Sequence, residues 1–245
     1  MTTGGKEKMA GRITLRIPRV AAFLVAAWLV IVAAGFIAEY ARYIVGSKSQ
    51  VVDYFSLSEE QNVPSWWSSS LLLACSVVLA AITATKTRAR GDYKTHWAVL
   101  SGIFCYMSLD ELVEIHERLN DISSLSQLHG ALYYGWIIPA SLIVLVFAAS
   151  YLKFLFHLPM KTRVKVALAG ALYVGGALGV ELPLGLWTER HGELNFGWAL
   201  IDMGEESMEI AGSSLFLFAL IEYLGRSRPD LRIAITPDGD TGAAS

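Results

Sequence analysis

Two acidic stretches stand where the surrounding chain is otherwise apolar. Ser108 to Asn120 reads Ser-Leu-Asp-Glu-Leu-Val-Glu-Ile-His-Glu-Arg-Leu-Asn, and Asp202 to Glu209 reads Asp-Met-Gly-Glu-Glu-Ser-Met-Glu. Ionisable groups inside a membrane span are costly, and they mark a binding site or an ion path by default. At 3.6 residues per turn, Asp110, Glu114 and Glu117 fall on one helix stripe, with Tyr106 and Met107 beside it. Asp202, Glu206, Glu209 and Ser213 form a second stripe with Glu205 at its edge, and Glu181 and Glu39 reach the same layer.

Carboxylates three and four apart on facing helices are how helical bundles build metal centres. The expected ligands of a divalent metal ion are Asp110, Glu114, His116, Glu117, Asp202, Glu206 and Glu209, supported by Glu181, Glu205 and Tyr106. Oxygen ligation suits Mg, Ca or Mn, whereas His116, His129 and His191 admit Zn or Fe. The Glu-x-x-His pattern of di-iron bundles is missing; the chain offers Glu114-x-His116 and Glu206-x-x-Glu209 instead. A metal with an open position could activate water for hydrolysis of a membrane-near substrate, with Glu114, His116 and Glu206 as the reacting groups. Tyr106, Ser108 or Ser213 could orient that substrate.

Two other readings stay open. Chains of Asp, Glu and His also make proton relays and cation paths, although no repeated halves are visible. Alternatively, the buried acids only join helix to helix. Elsewhere, Glu39 and Arg42 are spaced for a local pair, Glu111 for a pair with Arg118, and His96 and His157 for an interface without chemistry.

The elements that must carry these groups are membrane helices. Of 245 residues 54% are hydrophobic and only 17% charged, below the roughly 25% usual in soluble domains. The expected fold is all-α, a polytopic bundle of six transmembrane helices near Val20–Val45, Trp66–Thr85, Trp97–Leu119, Ala131–Phe156, Val164–Trp187 and Trp198–Leu224. A basic tail (1–19) precedes this domain (20–225), and a polar, disordered tail (226–245) follows it. The first span is too long for a signal-peptide core, so it reads as an uncleaved anchor.

Sixteen of the twenty basic residues fall on one side of such a bundle, which makes both termini cytoplasmic and puts the acids in the outer half. No nucleic-acid motif is present. Cys75 and Cys105 form no Cys-x-x-Cys pair, so neither a disulfide framework nor a thiolate metal site is signalled. Ala167, Ala171, Gly175 and Gly179 recur every four residues and offer a face for another helix, including one from a second copy. Pro139 and Pro183 are expected to bend or loosen their helices.

Leu109-Asp110-Glu111 through His116-Glu117, Glu189 through Glu193, and Glu205-Glu206 through Glu209 resemble a family of uncharacterised bacterial multi-pass membrane proteins. The resemblance covers the last four spans and implies a bacterial inner-membrane location, with no activity to carry over. Seven-span hydrolases with a Ser, an Asp and three His offer only an analogy, because this chain lacks their closing histidines.

Overall fold

The computed structural model describes residues 17–88, 92–115 and 128–227. Among these residues the protein is all-α, with six long helices and one short one. They are α1 (Ile17–Tyr43), the short α2 (Gln50–Phe55), α3 (Val63–Arg88), α4 (Lys94–Val113), α5 (Ile137–His157), a continuous helix over Met160–His191, and α8 (Phe196–Ser227). The Met160–His191 helix divides into α6 (Met160–Val174), a π turn (Gly175–Val180) and α7 (Glu181–His191).

Five of the long helices are long and apolar enough to cross a membrane, which points to a multi-pass membrane protein. The sixth, α4, falls short by composition. Lys94 and His96 at one end and Asp110 and Glu111 at the other leave too short an apolar run between them.

Local chemistry sets the helix ends. Asn62 starts α3, its Oδ1 accepting from the Ser65 N–H (3.2 Å), and Asn195 starts α8 through Trp198 N–H (2.9 Å). Gly192, at φ 75°, closes α7 with its N–H on Thr188 O (2.8 Å). Pro139 falls in the first turn of α5, where its missing N–H costs little. Pro183 sits inside a helix and cannot bond back to Gly179; the wider π turn ends three residues before it, at Val180.

Helix α4 corrects the third expected span. It stops at Val113 because Glu114 adopts φ 55°, its N–H closing on Asp110 O (2.7 Å). The helical geometry that would have aligned Asp110, Glu114 and Glu117 therefore ends before Glu117. His116, Glu117 and Arg118 lie outside the described residues, and so does the expected Glu111–Arg118 pair.

Packing combines small residues with hydroxyl bridges. Helices α3 and α4 are joined by two reciprocal serine pairs. Ser69 Oγ donates to Ser108 O (2.7 Å) and Ser108 Oγ to Ser69 O (2.9 Å), and Ser76 and Ser101 repeat the arrangement at 2.8 and 2.9 Å. Gly212 of α8 lies against the backbone of Ala169 and Tyr173, and Gly176 against the backbone of Glu205. The intramolecular contact thus uses Ala169 and Gly176, one face over from the expected stripe; Ala167, Ala171 and Gly179 are exposed.

Away from the acids, the bundle closes on itself. Phe104 stacks on Phe216 (4.7 Å), Trp97 on Tyr223 (5.2 Å), and Phe154 meets Trp97 edge-on (4.8 Å) around fully buried Leu79 and Leu220. Helix α5 buries only Ile137 near its start and Phe154 near its end, so its middle stands off from the bundle.

Candidate functional site

That standing-off leaves a cavity of about 720 Å³ between α4, α5, α6–α7, α8 and the segment after α2. Helix α8 contributes its acidic wall: Asp202, Glu205, Glu206 and Glu209, with Trp198 nearer the mouth. From Trp198 to Glu209 the wall runs about 16 Å at about 1.5 Å per residue, or about half of a hydrocarbon core. Helix α4 presents Tyr106, Met107, Asp110 and Glu111, and the helix after the π turn presents Glu181. The opposite wall is apolar, with Pro139, Ala140, Ile143 and Val144 from α5 and Val174, Ala177 and Leu178 from α6 and the π turn. Glu60 and Glu193, both exposed, add carboxyls at the rim.

Nine carboxyls therefore line one cavity, and no Lys, Arg or His lines it among the described residues. They are not isolated from one another. Glu205 lies beside Glu181, Glu209 and Asp202, and Glu206 beside Glu111, Glu209, Glu60 and Asp202. Some have neutral partners. Trp136 Nε1 donates to Glu181 Oε1 (3.1 Å), Ser58 bonds Asp202, and Tyr173 bonds Glu209. Glu205 is only 7% exposed, and its Oε2 is buried with no hydrogen-bond partner. A buried carboxylate oxygen without a donor is costly, so this atom needs a proton or a cation.

The mouth is organised around Tyr134. Its hydroxyl donates to Glu193 Oε1 (3.1 Å), meets Thr188 Oγ1 at 3.0 Å and accepts from Trp198 Nε1 (3.3 Å). Burial, above all, holds this phenol above the usual tyrosine range; the Thr188 and Trp198 bonds oppose the shift, and the Glu193 carboxylate adds to it. Tyr134 is therefore a protonated donor at any ordinary pH.

The sequence expectations divide accordingly. Asp110, Asp202, Glu206 and Glu209 meet in the cavity with Glu181, Glu205 and Tyr106. Glu114 does not line it. The left-handed turn carries it toward the segment after α2, where Gln61 Nε2 donates to its Oε1 (2.9 Å). His129 and His191 do not line the cavity either. His129, 82% exposed, pairs with Glu189 (3.2 Å), and His191 stacks on Trp187 (4.3 Å). The two serines are engaged elsewhere: Ser108 bridges to α3, and Ser213 Oγ donates back to Glu209 O (2.9 Å). Among the described residues no three His, Cys, Asp or Glu side chains gather as a single metal ion requires.

The expected Glu39–Arg42 pair is replaced by two longer-range contacts. Arg42 turns to Asp53 (2.8 Å) and Glu59, while fully buried Glu39 accepts from Ser56 Oγ. Four contributors escaped sequence reasoning: Glu60, Glu193, Tyr134 and Tyr173. Glu60 and Glu193 sit in connecting segments where no periodicity signals a face, and Tyr134 and Tyr173 read as ordinary apolar filling.

No curated protein and no solved structure matches the chain. A family model does, over residues 20–223, and the chain belongs to that family, described as a domain of unknown function (DUF8692).

Proposed function

We propose that the protein is a multi-pass inner-membrane protein whose acidic cavity binds a cation on the side opposite both termini. The observation that carries this reading is the lining of nine carboxyls with no basic side chain among the described residues. In a membrane interior such a set is eased by protons, water or bound cations, because lipid solvates none of it. A divalent metal ion is one candidate, for which Asp202, Glu206 and Glu209 would have to draw closer together than they stand, since no three ligands gather among the described residues.

A ligand that binds only the folded state raises its stability by RT ln(1 + [L]/Kd). Detergent-purified protein should therefore show a saturable rise in Tm with a multivalent cation at fixed ionic strength, and none with choline chloride. The triple variant Asp202→Asn, Glu206→Gln, Glu209→Gln should lose that rise. If no multivalent cation gives a saturable shift, cation binding is not what the cavity does.

Cation-coupled transport is the second reading, favoured by the π turn at Gly175–Val180 midway along a cavity-lining helix. Such turns are frequent at functional sites. The aromatic and aliphatic core beyond Glu209 closes the far end, so transport would require the helices to move. Ion flux into proteoliposomes, abolished in the same triple variant, distinguishes the two readings.

A further inference from the structure

We infer that the cavity's ligand is a linear organic amine carrying two or more ammonium groups, a polyamine in chemical class. The inference rests on the cation-binding reading above and names which kind of cation the walls suit. Three features carry it.

Size and dispersion come first. About 720 Å³ lies within the range of small-molecule pockets and far exceeds what one ion fills. The carboxyls are strung along about 10 Å of α8, from Asp202 to Glu209, rather than drawn to one point, and no metal-sized cluster forms among the described residues. Several separated positive charges match that spacing better than one concentrated charge.

The second feature is the division of the walls. Acids stand on α8 and α4, while α5 and α6 present Pro139, Ala140, Ile143 and Val144 with Val174 and Leu178. A chain of methylenes can lie on the apolar wall while its ammonium groups turn to the acidic one. Tyr106, Trp136 and Tyr173 add ring surface, on which a desolvated ammonium is stabilised.

The third is Glu205. Its Oε2 is buried with no hydrogen-bond partner, while the carboxyl shares a hydrogen bond with Glu181 and lies near Glu209 and Asp202. An ammonium carries three N–H donors and no acceptor, so it can satisfy this oxygen and a neighbouring carboxylate together.

The test is a titration of the full-length protein in detergent, at fixed ionic strength, with spermidine and separately with Mn²⁺. Wild-type protein should bind spermidine saturably and at least tenfold more tightly than Mn²⁺. Glu205→Gln and Glu206→Gln should each weaken spermidine binding tenfold or more, with Tm confirming that each variant is folded. Glu59→Gln, outside the cavity, should leave binding unchanged. Binding of Mn²⁺ without spermidine would overturn the amine inference and keep the cation reading. Binding of neither would overturn both. Tight spermidine binding unaffected in folded Glu205→Gln and Glu206→Gln would place the amine elsewhere and also overturn the inference. The wild-type comparison needs no variant, so it decides even where a substitution fails to fold.

Discussion

At the scale of single residues, Tyr134 and Glu205 show two ways of handling polarity in a dry place. Tyr134 has partners on every side, bonding Thr188, Glu193 and Trp198, and so ties the start of α5 to α7 and α8. Removing its hydroxyl leaves buried Thr188 and half-buried Trp198 short of a bond. Tyr134→Phe should therefore lower stability by about 1–3 kcal/mol, read as a fall in Tm in detergent. An unchanged Tm would mean that the mouth network holds nothing. Glu205 is the opposite case, a buried carboxyl with an oxygen left over. The sequence placed it only at the edge of a stripe, because a helical wheel ranks positions by angle and is blind to how closely a neighbour packs. In the fold, Gly176 lies against the Glu205 backbone. Glu114 failed in the reverse direction: its spacing from Asp110 is right, but its own backbone leaves the helix at that point.

Among the elements, the contact of α8 with α6 and the π turn positions most of the acidic wall. It depends on two glycines. A Cβ on Gly212 would come within 2.7 Å of the Tyr173 backbone nitrogen and 2.8 Å of the Ala169 carbonyl oxygen, neither of which can move alone. Gly212→Ala should therefore destabilise by about 1–3 kcal/mol through overpacking and weaken cation binding as the walls part. Gly170→Ala on α6, where nothing lies within 4 Å, should be neutral or slightly stabilising. Equal effects in the two variants, by thermal unfolding, would contradict this account of the interface. Most of the elements themselves were legible in advance, because about twenty apolar residues in a row leave a chain few alternatives. What sequence could not supply was how the helices rotate against one another. The Ala167–Gly179 stripe has the right period for close packing, yet the protein packs through Ala169 and Gly176 and leaves Ala167, Ala171 and Gly179 exposed. Both faces carry small residues, and only tertiary packing chooses between them.

For the whole molecule, the decisive property is polarity from end to end. The acids gather toward the end that carries α2, while the other end is sealed by Trp97, Phe154, Leu220 and Tyr223 and flanked by basic residues such as Lys86, Lys94 and Lys165. At that basic end even Glu222 is matched, by Lys165 and by Arg226 (2.7 Å). Basic loops stay in the cytoplasm, so the cavity should open to the opposite side, where solutes reach it before crossing the membrane. Cysteine labelling checks this directly. In a background with Cys75 and Cys105 replaced by Ser, Glu193→Cys at the cavity rim should react with a membrane-impermeant maleimide on intact spheroplasts. Asp92→Cys, in the turn before α4, should react only after the membrane is broken. Labelling of Asp92→Cys in intact spheroplasts with Glu193→Cys protected would invert the molecule. The cavity would then face the cytoplasm, and any cation bound there would be drawn from the cell interior.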